Sequence, residues 1–226
     1  MFSLKTKSLI SPEQSLAPYI DHTVLRPDTT KAMVAQLCQE AIQHRFAAVC
    51  VPPCFVRQAV AALQDTGVQV ATVVGFPFGY QLAKVKFFEA HQALSEGATE
   101  IDVVMNIAAF KSGKHDEVMS ELHELSTLCH FKNSILKVII ETALLTSEEI
   151  VQICQICVEA EVDFVKTSTG YAASGAQIED VLLMRANLPK HIKIKASGGI
   201  KTKEAALALV KAGADRIGTS SGVSLL

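Results

Sequence analysis

The strict alternation of strand-like and helix-like runs limits this chain to very few folds. Short runs rich in β-branched residues recur at 19–25, 47–51, 68–75, 100–106, 135–141, 163–168, 192–197 and 216–220. Stretches with helical spacing separate them; Met33, Val34, Leu37, Ala41 and Ile42 mark one face of the first, over 31–45. Further helices are expected over 55–64, 81–95, 116–128, from Thr146 or Ser147 onward, 176–187 and 202–212. Thr146 or Ser147 and Thr202 supply N-caps, and Gly213 a stop. The unit repeats about every 28 residues with no linker-like break. Such alternation argues for an all-parallel sheet. Eight strands with seven connecting helices predict one α/β domain over residues 1–226, a (β/α)8 TIM barrel. An open doubly wound sheet would want a glycine-rich turn after its first strand; Arg26-Pro27 stands there instead. Residues 1–12 are expected to form a flexible N-terminus. Only Ser221 to Leu226 follow the last strand, so the eighth helix is short or missing. That side is then partly uncovered or covered by another subunit.

Charge and cysteine content remove several function classes. A net charge of −2 without a basic stripe argues against nucleic acid as a partner. No run of 18 apolar residues occurs, and Met1 to Ile10 lacks an apolar signal core, so no membrane association and a cytoplasmic location are expected. The six cysteines are scattered, which suits reduced thiols. Cys154 and Cys157 share one helix face and are expected in the core rather than on zinc. The seven histidines show no H-x-H or H-E-x-x-H spacing, so no metal site is expected.

Polar residues inside the strands point to function. Strands of a barrel covered by helices should read as apolar runs, and successive side chains point to opposite faces. Here Asp102, Val104 and Asn106 oppose Ile101, Val103 and Met105, while Lys137, Ile139 and Glu141 oppose Val138 and Ile140. Lys166 and Ser168 oppose Val165, and Lys193, Lys195 and Ser197 oppose Ile194 and Ala196. Asp21 and Thr23 join the polar set. With the apolar faces against the helices, Asp21, Asp102 and Glu141 are expected to meet Lys137, Lys166 and Lys195 inside the barrel. Buried ion networks rarely improve on apolar packing, and barrel active sites lie at strand C-terminal ends, so this concentration of charge predicts catalysis.

A buried lysine beside a second cation loses proton affinity and becomes a nucleophile toward carbonyls. Lys166 and Lys195 are both candidates, with Asp102 and the other lysine moving protons. The imine so formed is an electron sink for making or breaking a carbon–carbon bond. Two glycine-bearing loops, 196–200 and 218–222, follow the seventh and eighth strands, the usual phosphate site of this fold. Lys201 or Arg216 would add charge there, the alternative for either being a solvated surface position.

Seven segments carry a family resemblance: D-H-T-V-L-R-P (21–27), A-A-V-C-V-P-P (47–53), E-I-D-V-V-M-N (100–106), K-V-I-I-E-T (137–142), D-F-V-K-T-S-T-G (163–170), I-K-A-S-G-G-I (194–200) and R-I-G-T-S-S-G (216–222). Together they resemble deoxyribose-phosphate aldolase, from about Tyr19 to the C-terminus. The resemblance implies a class I aldolase without cofactor or metal, which reversibly splits 2-deoxy-D-ribose 5-phosphate into acetaldehyde and D-glyceraldehyde 3-phosphate in deoxyribonucleotide catabolism. Its partners would be the sugar phosphate and the aldehydes, and the chain would be a homo-oligomer, a dimer or tetramer. It assigns the Schiff base to Lys166, the second lysine to Lys195 and the catalytic acid to Asp102. It makes Asp21, Thr23, Lys137, Glu141 and Thr169 supporting or substrate contacts. Phosphate would lie against Gly170, Gly198, Gly199, Gly218, Ser220 and Ser221. Some relatives end in a tyrosine-tipped tail where this chain reads Ser224-Leu225-Leu226, and some have a lysine where Tyr171 stands. Cys50 is expected at a strand end near the barrel mouth, with core packing as the alternative.

Overall fold

A computed structural model describes residues 15–226; the N-terminal segment expected over 1–12 lies outside them. Strands β1 (Ile20–Thr23), β2 (Ala48–Val51), β3 (Gln69–Val74), β4 (Glu100–Val104), β5 (Ile135–Ile139), β6 (Phe164–Lys166), β7 (Lys193–Ser197) and β8 (Arg216–Thr219) pair in sequence order. All pairs are parallel, and β8 returns to β1 through Ile20↔Ile217 and Asp21↔Gly218, closing the barrel.

Seven helices make the crossovers: α1 (Lys31–His44), α2 (Val56–Leu63), α3 (Ala83–Ser95), α5 (His115–Phe131), α6 (Ser147–Glu159), α7 (Ile178–Asn187) and α8 (Lys203–Ala212). Their ends follow capping chemistry. Thr146 accepts from the Glu149 N–H while Glu149 reaches back to the Thr146 N–H, a full capping box on α6. Thr202 accepts from the Ala205 N–H on α8, and Gly213 ends that helix at φ 121°. A short helix α4 (Ile107–Lys111) departs from expectation. The strand expected to reach Asn106 stops at Val104, because the Asn106 side chain accepts from the Ala109 N–H and caps α4 instead of continuing the inner face.

After β8 the chain makes only a 3-10 turn, Gly222–Leu225, whose Leu225 is buried. The turn packs close because Gly222 has no Cβ; one would sit 2.8 Å from His22 Nδ1 and 3.1 Å from Ile20 and Phe46. Among the described residues no helix is long and apolar enough to cross a membrane.

The two faces of the strands separate as their alternation requires. Ile101, Val103, Met105, Val138, Ile140, Val165, Ile194 and Ala196 pack outward in one core with Val34, Leu122, Ile153 and Leu209 from the helices. Each such side chain contributes roughly 1.5–3 kcal/mol by leaving water. Cys154 and Cys157 belong to this core as free thiols. Inside the barrel, β2 and β3 supply a small apolar cluster of Cys50, Ala71 and Val73. The other strands point charge inward.

Candidate active site

Register brings the inward charges to one level. Asp102 lies beside Lys137, Ile139 beside Lys166, and Lys166 beside Lys195. Asp102 is the hub: its Oδ1 accepts from Lys137 Nζ at 2.7 Å, and its Oδ2 accepts from Lys166 Nζ at 2.8 Å and Lys195 Nζ at 2.7 Å. Asp21 Oδ2 stands 2.6 Å from Lys195 Nζ. All five side chains are buried. One member of this constellation was not expected. Glu100, two residues before Asp102 and therefore on the same strand face, is buried and paired with both Lys137 and Arg216. Its inward position was legible from that spacing.

Three expectations need correction. Glu141 does not meet the lysines. It sits past the end of β5 in the left-handed region (φ 55°, ψ 68°), and its carboxylate turns to Thr169, accepting from that residue's N–H at 3.3 Å and from its hydroxyl. Arg216 is not in the phosphate loops. At the start of β8 it holds Asp21 and Glu100. Lys193 begins β7, is exposed, and lies 5.5 Å over the Phe164 ring. Cys50, near the C-terminal end of β2, is fully buried in the small cluster against which Leu25 and Phe76 of the mouth loops pack, and burial pushes its thiol pKa up.

Counting charges identifies the odd amine. Lys137, Lys166, Lys195 and Arg216 are four cations in contact with three carboxylates, Asp21, Glu100 and Asp102, one positive charge in excess. Burial depresses the Lys166 pKa and Lys195 depresses it further; Asp102 opposes both without prevailing. Burial also acts against the Lys195 ammonium, but Asp102 and Asp21 together outweigh it and raise its pKa. Lys137 is raised likewise, against burial, by Asp102 and Glu100. Asp102, despite burial, is held well below the carboxylate range by Lys137, Lys166 and Lys195, and Asp21 is held at about 2, against burial, chiefly by Lys195 and Arg216. With Lys166 neutral, three cations face three anions.

Lys166 opens onto a cavity of about 320 Å³ at the C-terminal ends of the strands. Thr23, Thr169, Gly170, Gly198, Gly199, Gly218, Ser220 and Ser221 all line it, with Lys201 at its rim. Glycine is required at two points. A Cβ on Gly218 would come 2.9 Å from Lys195 Cε, so Gly218 makes room for that side chain inside the barrel. A Cβ on Gly175 would come 2.1 Å from the Gly198 carbonyl oxygen. The loop after β6 thereby seats directly on the loop after β7, and the Ala176 N–H donates to Ser197 O at 3.0 Å. Gly175 gave no sign of this contact in the sequence, since the two loops meet only in the closed barrel.

Tyr171 spans the mouth. Its hydroxyl donates to Leu25 O at 2.9 Å, and its ring meets Phe76 edge-on at 5.5 Å. A buried amine of lowered pKa, beside a carboxylate and a second lysine of raised pKa and open to a cavity lined by glycine and serine loops, can attack a carbonyl and shuttle the protons that follow.

The comparisons with known proteins agree with one another. Residues 16–226 match the family model described as DeoC/LacD family aldolase. A protein named deoxyribose-phosphate aldolase from a Thermoanaerobacter species is 47% identical over 94% of this chain and 96% of its own length. One of the same name from Thermococcus gammatolerans is 49% identical, over 93% of this chain and 95% of its own. The solved structure titled as a unique tetrameric structure of deoxyribose phosphate aldolase from Aeropyrum pernix superposes with a TM-score of 0.87 at 34% identity, covering 93% of this chain and 88% of the other.

Proposed function

The chain belongs to the deoxyribose-phosphate aldolases of the DeoC/LacD aldolase family, and from that premise we propose a reversible cleavage of 2-deoxy-D-ribose 5-phosphate through a Schiff base on Lys166. The enzyme is a lyase. The neutral Lys166 amine attacks the C1 aldehyde of the open-chain sugar, and loss of water leaves an imine. The imine draws electrons from the C2–C3 bond as the C3 hydroxyl gives up its proton. D-Glyceraldehyde 3-phosphate departs, and the enamine left on Lys166 is protonated and hydrolysed to acetaldehyde.

Asp102 and Lys195 carry the protons in this reading. One oxygen, Asp102 Oδ2, contacts both amines, so a proton can pass between them with little movement. Lys137, Arg216, Glu100 and Asp21 hold Asp102 and Lys195 in place. Thr23 and Thr169 flank the substrate. The phosphate would lie against the glycine and serine loops at Gly170, Gly198, Gly199, Gly218, Ser220 and Ser221, most of them after β7 and β8, where other barrels of this fold bind phosphate. The reaction serves deoxyribonucleotide catabolism. A homo-oligomer, dimer or tetramer, is proposed by analogy with the tetrameric relative, and a cytoplasmic location is supported by six free cysteines.

The observation that carries the proposal is the placing of Lys166: it faces the cavity and shares its one carboxylate oxygen with Lys195, in a network with one cation too many. Borohydride reduction in the presence of acetaldehyde, followed by peptide mapping, tests it. An ethyl adduct on Lys166 is expected; an adduct confined to Lys195 would exchange the roles of the two lysines.

A further inference from the structure

The charged groups around Lys166 close into a ring. Asp102 meets Lys195 at 2.7 Å, Lys195 meets Asp21 at 2.6 Å, and Asp21 is paired with Arg216. Arg216 meets Glu100 at 3.2 Å, Glu100 is paired with Lys137, and Lys137 returns to Asp102 at 2.7 Å. The sign alternates at every step, so three cations and three anions make a ring that is neutral in itself. Lys166 hangs from it as a seventh group. Its ion pair with the ring is to Asp102 Oδ2, at 2.8 Å, an oxygen that Lys195 also holds.

The far arc of the ring has no access to substrate. Glu100 and Arg216 open β4 and β8, at the N-terminal ends of the strands, whereas Lys166 ends β6 beside the cavity. Lys166 lines that cavity and the other two do not. For stability alone, apolar side chains would serve in this layer as well as a buried ion pair. Charge, however, reaches further than contact. Register sets Lys195 between Lys166 and Arg216, so Arg216 lies two strand spacings, roughly 10 Å, from Lys166. Glu100 is two strands away on the other side. At an effective dielectric constant of about 20, a unit charge at that distance moves a titrating group by roughly one pH unit.

We infer that Glu100 and Arg216 are positioning residues for the cleavage: by closing the ring at zero charge they leave Lys166 without a counterion of its own, and so set the pH range in which it is a free amine. The inference rests on the aldolase reading above. Asp102 on β4, Lys195 on β7 and Cys50 on β2 act on Lys166 directly, with Lys137 on β5 across Asp102. The Cys50 thiol, pushed up by burial, adds no charge at neutral pH. Arg216→Met leaves the ring one anion in excess, which holds a proton on Lys166. Glu100→Gln leaves it one cation in excess, which drives that proton off.

The test is the pH profile of kcat for cleavage of deoxyribose 5-phosphate, which rises as Lys166 loses its proton. Arg216→Met should move the rise about one unit to higher pH, and Glu100→Gln about one unit to lower pH. Arg216→Lys keeps the charge and should leave the rise in place; the double variant, neutral again, should return it to the wild-type range. A network that serves stability alone predicts lower melting temperatures with unmoved profiles. That result, or two single variants that move the same way, overturns the inference. Glu100→Gln keeps the shape of its side chain and decides alone if Arg216→Met does not fold, since its rise must lie below that of the wild type. Trapping acetaldehyde on Lys166 with cyanoborohydride across the same pH range should show the same displacements without turnover. A wild type that does not cleave the sugar phosphate overturns the aldolase reading instead.

Discussion

Lys86 and Lys166 are both buried lysines whose pKa burial depresses, yet only one is suited to chemistry. Lys86 lies outside the barrel, between α3 and α5. Its amine donates to Glu121 at 2.7 Å and to the Val104 carbonyl at 2.8 Å. Burial in turn raises the Glu121 pKa, so the two ends form a private, closed pair. Lys166 has one acidic partner, Asp102, and shares the contacted oxygen with Lys195. It also faces a cavity. Desolvation alone therefore does not make a lysine reactive. A counterion already claimed by another cation, and an open path to substrate, are what differ.

The largest effect should come from Lys166→Met, which keeps side-chain volume but removes the amine. Cleavage of deoxyribose 5-phosphate should fall to background, while the melting temperature holds, because a buried amine of lowered pKa gives way to an apolar side chain of similar volume. Normal turnover in a coupled assay would remove Lys166 from the mechanism. Asp102→Asn should come next, lowering kcat by at least about 10²-fold, the usual scale of acid–base help. A smaller but more diagnostic change is expected from Lys195→Met. Losing the neighbouring cation raises the Lys166 pKa, so activity, which rises with pH as Lys166 loses its proton, should rise at a higher pH than in the wild type. An unmoved profile would break the claim that Lys195 sets the amine's proton affinity.

Lys86→Met should change kcat least. It strands Glu121 without its counterion and should cost about 3–5 kcal/mol of stability, read by denaturant titration. Loss of turnover in folded protein would erase the contrast between the two lysines. Acid should act on the barrel network. Asp21, lowered from 3.8 to about 2, contributes stability that is complete above its unfolded value and lost as pH falls through its folded one. Unfolding monitored by circular dichroism should begin below about pH 4, and Asp21→Asn should weaken that dependence.

Much of this was legible in the chain. The inward set Asp21, Asp102, Lys137, Lys166 and Lys195 follows from alternation along single strands, and the core on the opposite faces follows with it. Asn106 and Glu141 misled the reading for a shared reason. Alternation holds only while the backbone stays extended; Asn106 leaves it to cap α4, and Glu141 leaves it through a left-handed turn.

What sequence alone determined here is whatever depends on neighbours along the chain: eight strands, their two faces, the caps of α6 and α8, and the candidate amines. Which lysine is left without its own carboxylate was decided by the closed barrel. Strand register puts Lys137 between Asp102 and Glu100, gives Lys195 two acids, and sets Arg216 on Asp21 from the far end of the chain. The placing of Tyr171 across the mouth is tertiary for the same reason, since its partners Leu25 and Phe76 lie in loops after β1 and β3. Charges act through space, and those distances exist only once β8 has paired with β1.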